Sequence, residues 1–187
     1  MLGSQLGHFL DRPLSPFVKK LRLNPNHITV TGVIVTAIAA ITLPHNLKLG
    51  GILILCGGLL DVLDGVIARV NKRSTSFGAF LDSVLDRYSD SFLLIGFSWF
   101  FLKNNSLSGV FVSLGVMAGT LIISYTKARA EGLGRDCNTG LMERPERIIL
   151  MIFAALTGWV LPIMWILLVL THVTVIQRVY HVWKVMK

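Results

Sequence analysis

The sequence predicts an all-α integral membrane protein with six transmembrane helices, preceded by an amphipathic helix at the membrane interface. Hydrophobic residues make up 53% of its 187 residues, and the mean hydropathy is +0.66. A soluble domain of this length is much less apolar. Polar turns divide the sequence into apolar runs of roughly 20 residues, the length that crosses a bilayer as a helix. The first residues lack the pattern of a signal peptide.

Residues 1–23 form a juxtamembrane segment distinct from the six-helix membrane domain predicted over residues 24–187. Apolar residues alternate there with basic ones, and Pro13 and Pro16 interrupt any single long helix. This pattern is typical of an amphipathic segment whose basic residues face lipid phosphates. A solvated tail is the alternative.

Turn residues set the bounds of the predicted spans. Pro44 closes the first span. The last apolar run is about forty residues long, too long for one span, and it divides near Gly158. Pro162 suits the first turn of the last helix, and the fifth span is short. The predicted spans cover residues 27–43, 49–69, 78–102 and 107–126, with two more within 148–185.

The basic residues predict the orientation of these spans. Of the eighteen Lys and Arg residues, fifteen fall on one side of the predicted membrane and only Lys48 and Lys103 on the other, with Arg87 inside a span. Since basic loops stay in the cytoplasm, we expect both termini on the cytoplasmic side of the cytoplasmic membrane. The net charge of +8 therefore indicates topology and anionic partners, because no nucleic-acid-binding motif accompanies it.

Four aspartates lie inside this apolar sequence at fixed spacings. Asp61 and Asp64 are near the end of the second span, and Asp82 and Asp86 are near the start of the third. Each pair shares one helix face, on the cytoplasmic side. An unpaired charge at membrane depth costs about 2.5–3.5 kcal/mol, and a divalent metal would compensate. The aspartates alone leave a carboxylate-lined ion transporter open as an alternative.

The aspartates belong to a longer pattern, D-x2-D-G-x2-A-R-x8-G-x3-D-x3-D. This pattern resembles the signature of the CDP-alcohol phosphotransferase family, and an ion transporter does not explain its spacing. The resemblance implies a homodimeric membrane transferase of phospholipid biosynthesis, which moves a phosphatidyl-type group from a CDP-linked lipid to an alcohol and releases CMP. All eight fixed positions are present: Asp61, Asp64, Gly65, Ala68, Arg69, Gly78, Asp82 and Asp86.

The resemblance also implies roles for these residues. The four aspartates are expected to hold two Mg²⁺ or Mn²⁺ ions, which clamp a displacement at phosphorus, and Asp86 is expected to be the general base. Small residues at Gly65 and Ala68 let a flat ligand approach the backbone, and helix packing is the alternative for them. Arg69 offers a planar donor fork for phosphate. The residues expected to bind the nucleotide are Asp61, Asp64, Gly65, Ala68, Arg69 and Gly78.

A second group of charged residues is basic. Its members stand at or near the ends of apolar segments on the predicted cytoplasmic side, where they are expected to converge on an anion such as the phosphate of a phosphorylated alcohol. The alternative is that these residues bind no ligand and only reflect the excess of basic residues on the cytoplasmic side of a membrane protein. The group consists of Lys127, Arg129, Arg144, Arg147 and Arg178.

Three segments sharpen this expectation: SYTKARAEG (124–132), ERPER (143–147) and IQR (176–178). They resemble the phosphatidylinositol-phosphate synthases and their archaeal archaetidylinositol-phosphate counterparts. The resemblance implies inositol 1-phosphate as the acceptor, with glycerol 3-phosphate as the alternative, and CDP-diacylglycerol or CDP-archaeol as the donor. The residues expected to bind the acceptor phosphate are Lys127, Arg144, Arg147 and Arg178, with Arg129 a further candidate.

Asp90 and a pair of glycines stand outside these groups. Asp90 continues the row of aspartates by one helical turn, and we expect it to pair with Arg87 or to support the metal ligands. Gly115 and Gly119 form a G-x3-G pair, which is typical of close helix packing within a chain or between two copies.

The two cysteines are expected to play no part in the chemistry. Cys56 lies in an apolar span and Cys137 in a polar stretch, so a disulfide or a metal site built from them is not expected. We predict a buried Cys56 and an exposed Cys137.

Overall fold

The computed structural model describes residues 25–70 and 75–187, and within these two ranges it contains helices and no strand. This confirms the all-α prediction. The amphipathic helix predicted within residues 1–23 lies outside the described residues. The helices are α1 (Pro25–Thr42), α2 (Leu47–Val70), α3 (Ser76–Lys103), α4 (Leu107–Gly132), α5 (Arg144–Thr157) and α6 (Val160–Met186).

Local sequence explains where several helices begin and end. The Thr75 side chain accepts a hydrogen bond from the backbone N–H of Gly78 at 3.0 Å and caps α3. Ser106 caps α4 in the same way. Gly158 has a positive φ of 82°, a conformation that glycine adopts readily, and it ends α5. Pro162 lies in the first turn of α6, as predicted.

The six helices form a closed ring in the order α1, α2, α5, α6, α4, α3, with each helix packed against two others. The carboxyl-terminal ends of α2, α4 and α6 meet the amino-terminal ends of α3 and α5 at one end of this ring. Arg144 of α5 contacts both Asp61 of α2 and Asp86 of α3 there, and Arg178 of α6 contacts Ile123 of α4. This end of the ring carries the predicted site residues.

Close helix crossings explain several small residues. A Cβ atom at Gly96 of α3 would lie 2.6 Å from the carbonyl oxygen of Ala40 in α1, so the crossing leaves room only for glycine. Cβ atoms at Gly115 and Gly119 of α4 would lie 2.7 and 2.6 Å from side-chain atoms of α6. The G-x3-G pair therefore packs within the chain, which was one of its two expected roles.

The outer surface of the ring is apolar. Large side chains such as Ile34, Ile41, Leu59, Phe111 and Trp159 are 55–65% exposed, and large apolar surface of this kind is typical of a contact with lipid or with another protein. Helices α2, α4 and α6 are long and apolar enough to cross a membrane. Helix α5 has only 14 residues, about 21 Å of helix, whereas the hydrocarbon core is roughly 30 Å thick. The fifth helix is thus short, as predicted.

The expected exposures of the two cysteines are wrong. Cys56 is exposed on the outer face of α2, and Cys137 is buried. The segment between α4 and α5 folds back onto α6, where the backbone N–H of Met142 donates to Thr174 Oγ1 at 3.1 Å. A polar sequence that packs against a helix in this way can bury a small side chain, which its composition does not reveal.

Candidate functional site

Three aspartates from two helices meet at the end of the ring. Asp61 and Asp64 come from the last turns of α2 and Asp82 from the second turn of α3, and each offers a carboxylate oxygen within 4.8 Å of the others. The Asp64 carboxyl group is hydrogen-bonded to Thr29 of α1, but its buried Oδ2 atom has no hydrogen-bond partner. Clustered carboxylate oxygens with an unsatisfied buried atom fit a hard divalent cation such as Mg²⁺ or Mn²⁺.

Arg144, the first residue of α5, lies among the aspartates. Its Nη1 atom is 2.6 Å from Asp61 Oδ2 and 2.9 Å from Asp86 Oδ1, and its Nε atom is 3.5 Å from Asp90 Oδ1. Asp86 is not one of the three aspartates whose oxygens come together. It pairs instead with Arg144 and, at 3.9 Å, with Arg87.

Five of the six residues expected to bind the nucleotide lie in the last turns of α2. A Cβ atom at Gly65 would lie 3.1 Å from Arg69 Nη1, so glycine allows this guanidinium to lie against the helix backbone. Ala68 is half-buried. Gly78 lies in the first turn of α3, where a Cβ atom would come within 3.5 Å of the Asn26 side chain. The contacts seen at Gly78 are therefore those of close packing.

A cavity of about 560 Å³ opens beside Asp86. All four of the basic residues expected to bind the acceptor phosphate line it, so the structure brings them together on one side of the aspartates. Arg129 is exposed and is not among the lining residues. We call this space the basic cavity; its charged lining residues are Asp86, Arg87, Asp90, Lys127, Glu143, Arg144, Arg147 and Arg178.

Two arginines of the basic cavity are almost fully buried and held by the protein. Arg178 is 4% exposed and donates from Nε to the Thr139 carbonyl at 2.9 Å and from Nη1 to the Ile123 carbonyl at 2.6 Å. Arg147 is 3% exposed and donates from Nη2 to Asp90 Oδ2 at 2.9 Å. These contacts fix the orientation of both guanidinium groups and occupy part of their donors.

A second cavity of about 240 Å³ lies between α1, α2, α3 and α5, and most of its lining is apolar. We call it the apolar cavity. It shares Asp86, Arg144 and Pro145 with the basic cavity. The two charged residues Asp86 and Arg144 therefore stand at the boundary between a basic and an apolar space.

The sequence did not predict the contact of Thr29 with the site, and it did not predict the ion-pair partners of Asp90. Thr29 supports Asp64, but nothing distinguishes it from the other threonines of an apolar span. Asp90 was expected to pair with Arg87 or to support the metal ligands. Its recorded ion pairs are with Arg147 and Arg144 and not with Arg87. Because it lies one turn further along α3 than Asp86, it faces the first turn of α5.

Comparisons with known proteins agree with this site. A model of the CDP-alcohol phosphatidyltransferase family matches residues 22–177. The chain is 35% identical over 191 residues to the archaetidylinositol phosphate synthase of Methanothermobacter thermautotrophicus, and the alignment covers 98% of this chain and 95% of that protein.

Two solved structures of the phosphatidylinositol phosphate synthase of Mycobacterium tuberculosis are also similar at 31% identity, one with CDP-DAG bound and one in complex with manganese and citrate. Their TM-scores are 0.82 and 0.79, and each covers 92% of this chain, with 93% and 88% of those chains covered. An ion transporter, the alternative from another class, is excluded by these similarities. The chain belongs to the CDP-alcohol phosphatidyltransferase family and is a metal-binding membrane transferase of phospholipid biosynthesis.

Proposed function

We propose that this enzyme transfers a phosphatidyl-type group from a CDP-linked lipid, CDP-diacylglycerol or CDP-archaeol, to inositol 1-phosphate. The observation that carries this proposal is the position of Asp86 and Arg144 between the basic and the apolar cavity. The basic cavity suits a phosphorylated, water-soluble acceptor, and the apolar cavity suits part of a lipid donor. The names of the relatives, which are synthases of inositol phosphate lipids, support this acceptor.

The proposed reaction is a displacement at the lipid-side phosphorus of the donor diphosphate. The acceptor hydroxyl oxygen forms a bond to this phosphorus, and the bond from the phosphorus to the bridging oxygen breaks, so that CMP leaves with that oxygen. Asp86 takes the proton of the hydroxyl, since it faces the space where acceptor and donor meet. General-base catalysis of this kind contributes about 10²–10⁴-fold to the rate.

The acidic residues are proposed to hold two Mg²⁺ or Mn²⁺ ions. Asp61, Asp64 and Asp82 form the oxygen cluster, and Asp86, one turn along α3 from Asp82, is the fourth proposed ligand. When bound, such ions neutralise the diphosphate and the departing CMP.

The nucleotide is proposed to bind along the end of α2. Arg69 lies against the backbone at Gly65, and its planar guanidinium group matches the geometry of a phosphate. The residues proposed to bind the nucleotide are Asp61, Asp64, Gly65, Ala68, Arg69 and Gly78.

The charge of the basic cavity favours a phosphorylated acceptor. Five cations and three carboxylates line it, a formal excess of two positive charges, which matches a phosphate monoester rather than free inositol, serine or choline. Lys127, Arg144, Arg147 and Arg178 are proposed to hold this phosphate. Glycerol 3-phosphate carries the same group and is the competitor to test.

In the membrane, we place six spans within residues 24–187 and the amphipathic segment 1–23 at the interface. Both termini and the active site are proposed to lie on the cytoplasmic side. The asymmetry of the basic residues and the gathering of the site residues at one end of the ring support this orientation. A homodimer is proposed from the family resemblance.

The test is to offer acceptors separately to the purified protein with Mg²⁺ and CDP-diacylglycerol, and to identify the lipid product by mass spectrometry. The acceptors are inositol 1-phosphate, glycerol 3-phosphate and free inositol. Product from inositol 1-phosphate alone is expected. Product from glycerol 3-phosphate alone would overturn the acceptor and leave the transfer chemistry. If no acceptor reacts, CDP-archaeol is the donor to use next, and failure with both donors would overturn the proposal.

A further inference from the structure

Asp90 is a buried carboxylate that the family signature does not contain. It is 3% exposed, less than Asp64 at 6%, and it lies one helical turn beyond Asp86 on α3. A buried carboxylate is stable only when it is paired and hydrogen-bonded. Both partners that the structure gives to Asp90 are arginines of α5, Arg147 and Arg144.

The two oxygens of Asp90 divide these partners between them. Oδ2 is 2.9 Å from Arg147 Nη2, and Oδ1 is 3.5 Å from Arg144 Nε. Arg144 and Arg147 are three residues apart, so they share one face at the start of α5. Both side chains line the basic cavity. A single carboxylate therefore hydrogen-bonds one of its cations, Arg147, and forms an ion pair without a hydrogen bond with the other, Arg144.

Contacts with other groups also hold the guanidinium groups of Arg147 and Arg144. Arg147 Nη1 donates to the Met142 carbonyl at 3.3 Å, which fixes a second edge of that guanidinium. With its Nε atom near Asp90, Arg144 presents Nη1 to Asp61 and Asp86. Arginine has a long, flexible side chain, and holding it in its binding orientation removes the entropy that a ligand would otherwise have to order.

We propose that Asp90 is a positioning residue of the acceptor site, which holds Arg147 and Arg144 in the orientation that receives the acceptor phosphate. The inference rests on the proposed function in one respect, namely that the acceptor carries a phosphate. Asp90 lines the same cavity, but the proposal assigns it no contact with the reacting hydroxyl or the transferred phosphorus. It acts on substrate affinity through the two arginines.

Two other roles make different predictions. If Asp90 were a metal ligand, its replacement would lower the affinity for Mn²⁺. If its ion pair were only structural, its replacement would lower stability and would not change the acceptor KM more than the donor KM. The separate measurement of the acceptor KM, the donor KM, kcat and Mn²⁺ affinity distinguishes the three roles.

The test compares Asp90→Asn with wild type, and with Asp136→Asn as a matched control in an exposed segment. We expect the acceptor KM of Asp90→Asn to rise about tenfold, the effect of losing one charge-assisted hydrogen bond. The donor KM, kcat and Mn²⁺ affinity are expected to stay near wild type. An unchanged acceptor KM, or equal changes in the donor KM or in Mn²⁺ affinity, would overturn the proposal.

A second variant covers the case in which Asp90→Asn does not fold, because it leaves Arg147 without its counter-ion. Asp90→Glu keeps the charge and moves it by one methylene group, and it is expected to raise the acceptor KM less than the Asn variant while leaving the donor KM unchanged. An acceptor KM equal to that of wild type in a folded Asp90→Glu enzyme would then contradict the positioning role.

Binding of inorganic phosphate separates this inference from the proposed function. This binding is measured by calorimetric titration of the intact protein. The measurement requires no turnover, so it does not depend on which acceptor the enzyme uses. If wild type binds phosphate more tightly than Asp90→Asn or Asp90→Glu but does not use inositol 1-phosphate, Asp90 keeps its role and the acceptor is wrong. Equal phosphate affinity in wild type and both variants would overturn the role of Asp90, whatever the acceptor.

Discussion

Asp86 has an environment that differs from those of the other aspartates in the signature. Asp61, Asp64 and Asp82 direct oxygens toward one another, whereas Asp86 pairs with Arg144 at 2.9 Å and faces both cavities. Clustered carboxylate oxygens suit a cation, and the carboxylate between the two cavities is the one proposed to accept the proton as well as to be the fourth metal ligand.

We predict that Asp86→Asn folds but loses turnover. The amide is isosteric with the carboxylate but cannot accept the proton, so the rate of CMP release should fall by about 10²–10⁴-fold. The measurement is CMP release by the purified variant, with its elution volume in size-exclusion chromatography as the check on folding. A folded variant with near-wild-type turnover would remove Asp86 as the base.

Lys127 provides the cleanest test of the basic cavity. Its side chain is 40% exposed, and its ion pair with Glu131 is long, at 3.8 Å, so its removal should cost little stability. We predict that Lys127→Ala raises the KM for the phosphorylated acceptor several-fold, about 1 kcal/mol of binding, and leaves the donor KM unchanged. Lys103→Ala is the matched control, because Lys103 lies at the end of α3 that is far from the site. Equal acceptor KM values in the two variants would argue against Lys127 as a phosphate ligand.

The sequence predicts which side chains carry charge at the site, because spacings of three and four residues fix a helix face. It does not predict which charges pair, because pairing depends on which helices are neighbours. Asp90 shows the difference: its helical row is visible in the sequence, but its partners lie 54 and 57 positions away, on a helix that only the folded ring brings close.

At the scale of the elements, hydropathy located the helices but not all of their ends. Helix α4 continues to Gly132, beyond the apolar span predicted to end at 126, and α5 begins at Arg144, before the predicted start at 148. Apolar residues mark where lipid surrounds a helix, whereas hydrogen bonding and caps decide where it ends. In both helices the polar extension carries site residues, Lys127 in one and Arg144 with Arg147 in the other.

The crossing of α1 and α3 should depend on Gly96. We predict that Gly96→Ala lowers stability by about 1–3 kcal/mol, since the added Cβ would meet the backbone of Ala40 at 2.6 Å and backbone cannot move aside as a side chain can. Thermal unfolding in detergent measures the effect. Gly132→Ala, where a Cβ meets nothing within 4 Å, is the control. A melting temperature for Gly96→Ala equal to that of the control would mean that the crossing is looser than described.

At the scale of the whole molecule, the closed ring explains how residues from distant parts of the chain form one site. Helix α5 packs between α2 and α6, so its first turn brings Arg144 and Arg147 beside the aspartates of α2 and α3. The order of the helices in the ring does not follow their order in the chain. Hydropathy gives no information about this order, which is set by the complementary packing of helix faces.

The orientation in the membrane is tested by labelling of introduced cysteines in intact cells. In a Cys56→Ser background, we predict that a membrane-impermeant maleimide labels Lys103→Cys from outside. Lys187→Cys should be labelled only after the cells are opened, since six spans place the C-terminus in the cytoplasm. Labelling of Lys187→Cys in intact cells would contradict an even number of spans with a cytoplasmic N-terminus.

A competition assay tests the proposal that one site joins a CDP-linked lipid to a phosphorylated inositol. Purified enzyme with Mg²⁺ and CDP-diacylglycerol, or CDP-archaeol if that is the active donor, receives inositol 1-phosphate, glycerol 3-phosphate and free inositol together at equal concentration. Mass spectrometry measures the ratio of the lipid products. We predict that the inositol phosphate lipid dominates in wild type, and that the share of product from free inositol, which has no phosphate, rises in Lys127→Ala. Dominance of the glycerol phosphate lipid, or of the product from free inositol, in wild type would contradict the proposed acceptor.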